Sequence, residues 1–199
     1  MGATARTDHE TLVREDVEVM EDMSIPAASP HTPFKWIESA GGPFVIVPAV
    51  SAHAWRGVEG EDYEEACAVE DYLGQTAFGP EAEKTPAIVV ADEPLPATFL
   101  PDLRCVLQWS YAPSEQELID GARSSFPDID DWHQGPMLEV QGQLLMFDAT
   151  IPGESLGEEE KLYLSLPPGT YQLQSADFEV GEEVAGRLHA MRVLDPTRS

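Results

Sequence analysis

Enzymatic or metal chemistry requires particular residue types at particular spacings, and this chain offers few of them. Its histidines, His9, His31, His53, His133 and His189, and its cysteines, Cys67 and Cys105, are scattered along the sequence. No H-E-x-x-H, C-x-x-C, G-x-S-x-G or G-x-x-x-x-G-K string occurs, so zinc chemistry, acyl transfer and nucleotide binding have no motif. Asp128-Ile129-Asp130-Asp131 is the one tight carboxylate cluster suited to a hard cation, because oxygen ligands at alternate positions resemble part of a calcium loop. Counted from Asp128, Glu139 occupies the twelfth place, where such loops carry their bidentate Glu, but His133 stands at the sixth, where the turn needs Gly. A metal-dependent enzyme using Asp128, Asp130 and Asp131 is one alternative reading of the chain and an acidic scaffold within a larger assembly another; for the cluster itself a solvated acidic turn is the simpler account. We expect no catalytic residue and no cofactor.

A denser feature lies between Gly57 and Glu83, where nine acids (Glu59, Glu61, Asp62, Glu64, Glu65, Glu70, Asp71, Glu81 and Glu83) occur with no Lys or Arg. The whole chain carries 37 Asp plus Glu against 11 Lys plus Arg, a formal net charge of -26. Nucleic-acid binders and proteins that dock on anionic membranes neutralise phosphates with basic residues, so both classes are excluded. Such charge also keeps a protein soluble and dispersed, but a local negative face is equally suited to a basic partner, whose approach it accelerates. We therefore expect partner contacts at Glu61, Glu64, Glu65 and Asp71, and at Asp92 and Glu93 in a loop just before Pro94. Aromatic anchors favour stable interfaces, which adds Trp55, with Trp132 and Tyr111 as further candidates.

These residues need elements to position them. With 42% hydrophobic residues, four Trp, five Tyr and seven Phe, the chain has the material for a core. A first strand over residues 35–39, the turn Gly41-Gly42-Pro43 and a second strand Phe44 to Val47 read as a hairpin. Residues Asp62 to Leu73 read as the clearest helix, with Tyr63, Ala66, Cys67 and Val69 inward, the acids outward and Gly74 as its stop. Ile88 to Val90 is a short buried strand, Asp92 to Pro101 a proline-punctuated loop and Leu103 to Tyr111 a strand. A second helix over Ser114 to Ala122 opens with Ser114 and Glu117 at capping-box spacing. Met137 to Val140 and Gln143 to Phe147 flank Gln141-Gly142 as a further hairpin, and Leu162, Leu164 and Leu166 alternate on one face of the next strand. Tyr171 to Ser175 and Arg187 to Leu194 complete an antiparallel set.

The expected fold is α+β, mainly antiparallel sheet with about two helices, divided into two packed lobes. Residues 1–33 read as a loose acidic leader with a short helix over Glu10 to Met23, 34–112 as an N-terminal α+β lobe, 113–135 as helix and connection, 136–195 as a β-rich C-terminal lobe and 196–199 as a tail. Trp36, Tyr63, Cys67 and Tyr72 are expected in the core. The two cysteines are far apart and read as reduced thiols, and no window approaches the roughly 18 apolar residues of a membrane span, so a cytoplasmic protein is expected.

The series Trp36-Ile37-Glu38-Ser39-Ala40-Gly41-Gly42-Pro43, Asp62-Tyr63, Cys67, Asp71-Tyr72 and Asp92-Glu93-Pro94-Leu95-Pro96 resembles, in order, the immunity protein 21 family of bacterial polymorphic toxin systems. The resemblance is strongest over Phe34 to Tyr111 and extends more loosely to Leu144 to Asp148 and Pro167 to Tyr171. It implies a small cytosolic antitoxin that binds and neutralises a toxin domain encoded beside it, without catalysis or cofactor; a basic toxin such as a nuclease would suit the charge. Two positions depart from the family's pattern: Glu65, where Arg is expected, and Phe44, where Leu is expected. If Glu65 faces the toxin, that charge reversal changes which toxin is recognised, because specificity is a difference between affinities.

Overall fold

The computed structural model describes residues 1–2, 34–91 and 93–194. The described residues from Phe34 onward form one compact unit. The expected leader beyond its first two residues, the 196–199 tail and Asp92 lie outside the described residues.

The ten strands and two helices run β1 (Phe44–Pro48), α1 (Asp62–Cys67), β2 (Leu73–Phe78), β3 (Thr85–Val90), β4 (Ala97–Leu100), β5 (Cys105–Tyr111), α2 (Glu115–Ser125), β6 (His133–Val140), β7 (Leu144–Asp148), β8 (Lys161–Leu164), β9 (Gly169–Val180) and β10 (Val184–Val193). They form two five-stranded sheets, ordered β2-β3-β1-β7-β8 and β4-β5-β10-β9-β6, and every pairing is antiparallel. The α+β expectation holds.

Two sheets each expose two faces, and here all four are apolar. Phe44, Ile46, Leu73, Ile88 and Met146 of the first sheet meet Val106, Leu138, Tyr171, Leu173 and Met191 of the second in a shared core. The outer face of the first sheet, with Val45, Val47, Val89 and Phe147, is covered by Ala52, Trp55 and Ala66 from the 49–68 segment. The outer face of the second, with Leu107, Phe178, Leu188 and Ala190, is covered by Leu118, Ile119 and Ala122 of α2. Strands buried on both faces lose polar alternation and become continuous apolar runs, which is why β1 reads FVIV and β7 reads LLMF.

This layering corrects several sequence expectations. β1 is not half of a hairpin with residues 35–39: it is the middle strand of its sheet, between β3 and β7, and the earlier segment contributes only a bridge from Ile37 to Ala97. The helix predicted to reach Leu73 ends at Cys67, because Leu73 pairs with Val90 and is buried in the shared core. Burying that side chain contributes about 2 kcal/mol, whereas helix propensities over the preceding residues differ by only tenths. Gly74, expected to stop the helix, therefore lies inside β2, and Ala97–Leu100, expected in a loop, is β4. β6 and β7 are not a hairpin either; β6 pairs with β9 in one sheet and β7 with β1 and β8 in the other. Each sheet thus takes strands from both sides of residues 113–135, and the packed layers are the sheets themselves. The second helix, its Ser114 cap and the inward Leu162, Leu164 and Leu166 lie as expected.

Candidate partner-binding surface

The acidic face is built on a tight backbone clamp. Gly57 sits at φ +51, and a Cβ there would lie 2.4 Å from the Thr150 carbonyl oxygen; a Cβ at Gly153 would lie 1.8 Å from that of Ala52. These close approaches admit only glycine and lock the 52–60 segment against the 150–155 loop, with hydrogen bonds from Val58 N–H to Thr150 O at 3.1 Å and from Gly153 N–H to Trp55 O at 2.8 Å. The Asp62 carboxylate accepts from Arg56 N–H at 2.6 Å and fixes the start of α1.

Buried Ala66 turns one side of α1 to the sheet and leaves Glu61, Glu64 and Glu65 exposed. Their spacing of three and four residues puts them on one side of the helix. The first-turn acids Asp62, Glu64 and Glu65 also oppose the positive end of the helix dipole, a contribution of about 0.3–1 kcal/mol each. Glu65 accepts from the Thr76 hydroxyl at 2.9 Å. Among the described residues, Glu61 and Glu64 enter no ion pair, and their charges are left to solvent.

Asp71 and Glu93 lie at one end of the first sheet. Leu73 pairs with Val90, and Ala91 N–H donates to Tyr72 O at 3.1 Å, so the residues before β2 and after β3 are neighbours; both acids are exposed. Trp55 does not join them at the surface. It is 1% exposed, donates its indole N–H to Ala149 O at 2.9 Å and meets Phe78 and Phe147 edge-on, so it is a core residue under the acidic layer and not an exposed anchor. Tyr111 is 46% exposed, while Trp132 is half-buried against Phe126.

The Asp128, Asp130 and Asp131 side chains are exposed, and among the described residues no three His, Cys, Asp or Glu groups converge as a metal site. Cys67, expected in the core, is an exposed free thiol because α1 ends there; Cys105 is free and buried, and burial pushes its thiol pKa up. Trp36, Tyr63 and Tyr72 are half-buried.

Sequence reasoning did not anticipate two buried polar groups. Asp148, 2% exposed, accepts from Ala40 N–H at 2.6 Å, from Thr150 N–H at 2.8 Å and from the Thr150 hydroxyl at 2.7 Å. It thereby holds the Gly41-Gly42-Pro43 turn, where Gly41 adopts φ +117. The second group lies on the inner face of the second sheet, where Gln108, Ser175 and His189 are each at most 1% exposed. His189 Nδ1 lies 2.7 Å from Ser175 Oγ, and its Nε2 2.7 Å from Gln108 Oε1. Burial depresses the imidazole pKa to about 3, with the Arg187 charge as a further cause, so the ring is neutral. The readable signal was the face of β9 that passes from Tyr171 and Leu173 to Ser175 and Asp177.

The match that decides the family covers residues 35–184, which fit the profile of Immunity protein 21. The chain belongs to the immunity protein 21 family. Comparison with curated proteins and with solved structures returned no match. The match takes in the whole first sheet and every strand of the second except β10, of which it reaches only Val184, together with every candidate contact from Glu61 to Glu93. Within this immunity protein, the motif from Trp36 to Pro43 has a structural role, since Asp148 from the later matched stretch Leu144 to Asp148 ties down its turn. Phe44 is 1% exposed in the shared core, and Glu65 is on the exposed side of α1. No helix among the described residues is long and apolar enough to cross a membrane.

Proposed function

We propose that this immunity protein binds a cognate toxin domain in the cytoplasm and neutralises it by stoichiometric occlusion, with no catalysis of its own. The toxin surface it meets is basic. The observation that carries this reading is the row Glu61, Glu64 and Glu65, exposed and in no ion pair among the described residues, with Asp71 and Glu93 continuing the negative surface at the end of the sheet. Asp92 extends that loop in the sequence. A nuclease is an apt target, because carboxylates can occupy subsites that otherwise receive phosphate.

Glu65 sets specificity under this reading: a carboxylate at this exposed position favours a partner with a complementary cation and penalises one with an acid at that point. The test is capture at low salt from a native lysate, followed by titration of the captured polypeptide's toxicity with the purified immunity protein. One toxin-bearing polypeptide, silenced at a one-to-one ratio, is the expected result. A captured toxin that stays active at saturation contradicts the occlusion reading.

A further inference from the structure

The strands that end a sheet present main-chain N–H and C=O groups that nothing in the sheet answers, and three of the four such edges here are blunted. β4 is covered at Ala97, whose N–H and C=O both bond Ile37 at 2.9 Å. β6 carries Pro136 and a register shift between Gln134 and Met137, and β8 has four residues and opens with Lys161. Covering, proline, irregularity, short length and lysine all keep an edge from pairing further. β2 has none of them: its six residues include no charge and no proline and pair with β3 in unbroken register.

The ladder fixes which groups of β2 face outward. Ala91 N–H donates to Tyr72 O at 3.1 Å, so these two form a hydrogen-bonded pair, and antiparallel pairs alternate. Gly74, Thr76 and Phe78 therefore turn their main chain to β3, while Leu73, Gln75 and Ala77 turn theirs away. Pro86, which has no N–H, stands opposite Ala77, where the ladder asks it for none. β6 approaches the Leu73 end, where a Cβ on Gly135 would lie 3.0 Å from that side chain. Beyond it Gln75 is exposed and Ala77 half-buried, and among the described residues no hydrogen bond outside the β2–β3 ladder reaches either main chain.

We propose that the open edge of β2 at Gln75 and Ala77 receives an extended, basic segment of the partner as an added strand. Main-chain pairing supplies the hold, and the surrounding acids select the charge. Glu65 accepts from the Thr76 hydroxyl at 2.9 Å, so its carboxylate stands on the outer face of this strand. The exposed Glu81 and Glu83 lie in the turn that follows, Glu81 paired with Lys84 at 3.1 Å. Every second side chain of an added strand stands on that outer face, so a lysine or arginine there meets Glu65. A second copy of this chain is the wrong occupant, because joining two β2 edges brings together two such acidic surfaces and two net charges of -26. That the segment belongs to a toxin rests on the proposed function; the open edge does not.

The test follows amide hydrogen exchange by NMR in the full chain at about 0.15 M salt, which screens diffuse attraction, alone and with the peptide acetyl-Lys-Val-Lys-Val-Lys-Val-amide. Glu in place of Lys reverses the peptide's charge, and Pro in place of Val keeps the charge but prevents strand pairing. In the free chain the Gln75 and Ala77 amides should exchange about a hundredfold faster than those of Thr76 and Phe78. The Lys-Val peptide alone should slow the first pair by about tenfold or more, without slowing Leu162 or Tyr163 of β8. Gln75→Pro, which removes an outward N–H, should bind it about tenfold more weakly, and Gln75→Ala as the wild type does. Slow exchange at Gln75 and Ala77 in the free chain, no protection by the Lys-Val peptide, or equal protection by the Glu or Pro peptide would each overturn the added strand; these readouts use the wild type and stand even if Gln75→Pro does not fold. Because the peptide needs no toxin, failure here with toxin capture intact removes the added strand alone, whereas peptide pairing with no toxin captured removes the immunity reading alone.

Discussion

The imidazole of His189 is held neutral between a serine hydroxyl and a glutamine amide, in a layer otherwise filled by Tyr171, Leu173 and Met191. Its pKa of about 3 in the folded protein lies below the unfolded value near 6.5. Below pH 6.5 the unfolded chain binds this proton and the folded chain does not, so stability from this group is complete above that pH and is lost progressively toward pH 3. Urea unfolding of His189→Gln across pH 3–7 should show a shallower fall in stability than the wild type, by up to one proton's worth per pH unit; parallel curves would contradict the burial argument. The same scale shows what single residues hide from a linear reading. The acids on α1 were legible because exposed charge is a property of composition and spacing. Trp55, Asp148 and Ser175 were not, because their roles depend on Ala149, Ala40 and His189, which are distant in sequence or brought alongside only by strand pairing.

Elements were legible where their signals are local. Ser114 caps α2 as its spacing with Glu117 foretold: the hydroxyl accepts from Glu117 N–H at 3.3 Å and donates to the Glu117 carboxylate at 2.8 Å. The α1 boundary and both expected hairpins failed for the opposite reason, since pairing across the sheets outweighed local propensity and a doubly buried strand carries no alternation to reveal its partner. The clamp beneath the acidic face is another element that only the fold explains. Gly153→Ala would drive a methyl into the Ala52 backbone, and we expect a loss of about 3 kcal/mol in urea unfolding at unchanged m value, whereas Gly142→Ala, which points into open space, should stay within about 0.5 kcal/mol. Equal effects from the two substitutions would mean that the 52–60 segment is not locked by that contact.

At the scale of the molecule, the class of fold was visible in the sequence but its layering was not. Short strands, two helical patterns and frequent turns pointed to antiparallel α+β; the weaving of both sheets from both halves of the chain depends on long-range pairing that no local pattern encodes. The net charge of -26 acts at this same scale, since its field extends to about a Debye length, roughly 8–10 Å, and favours the approach of the basic partner we propose. Steering of this kind belongs to the association rate and fades with salt, while the off-rate reports the contacts that close afterwards. The most direct measurement of the central claim is therefore the association rate of the captured toxin, as a function of ionic strength, with wild type and with the Glu61→Lys, Glu64→Lys, Glu65→Lys triple variant. Our account predicts a wild-type rate that falls steeply with salt and a triple variant that is at least tenfold slower at low salt, converging at high salt. Identical, salt-insensitive rates for the two proteins would contradict it.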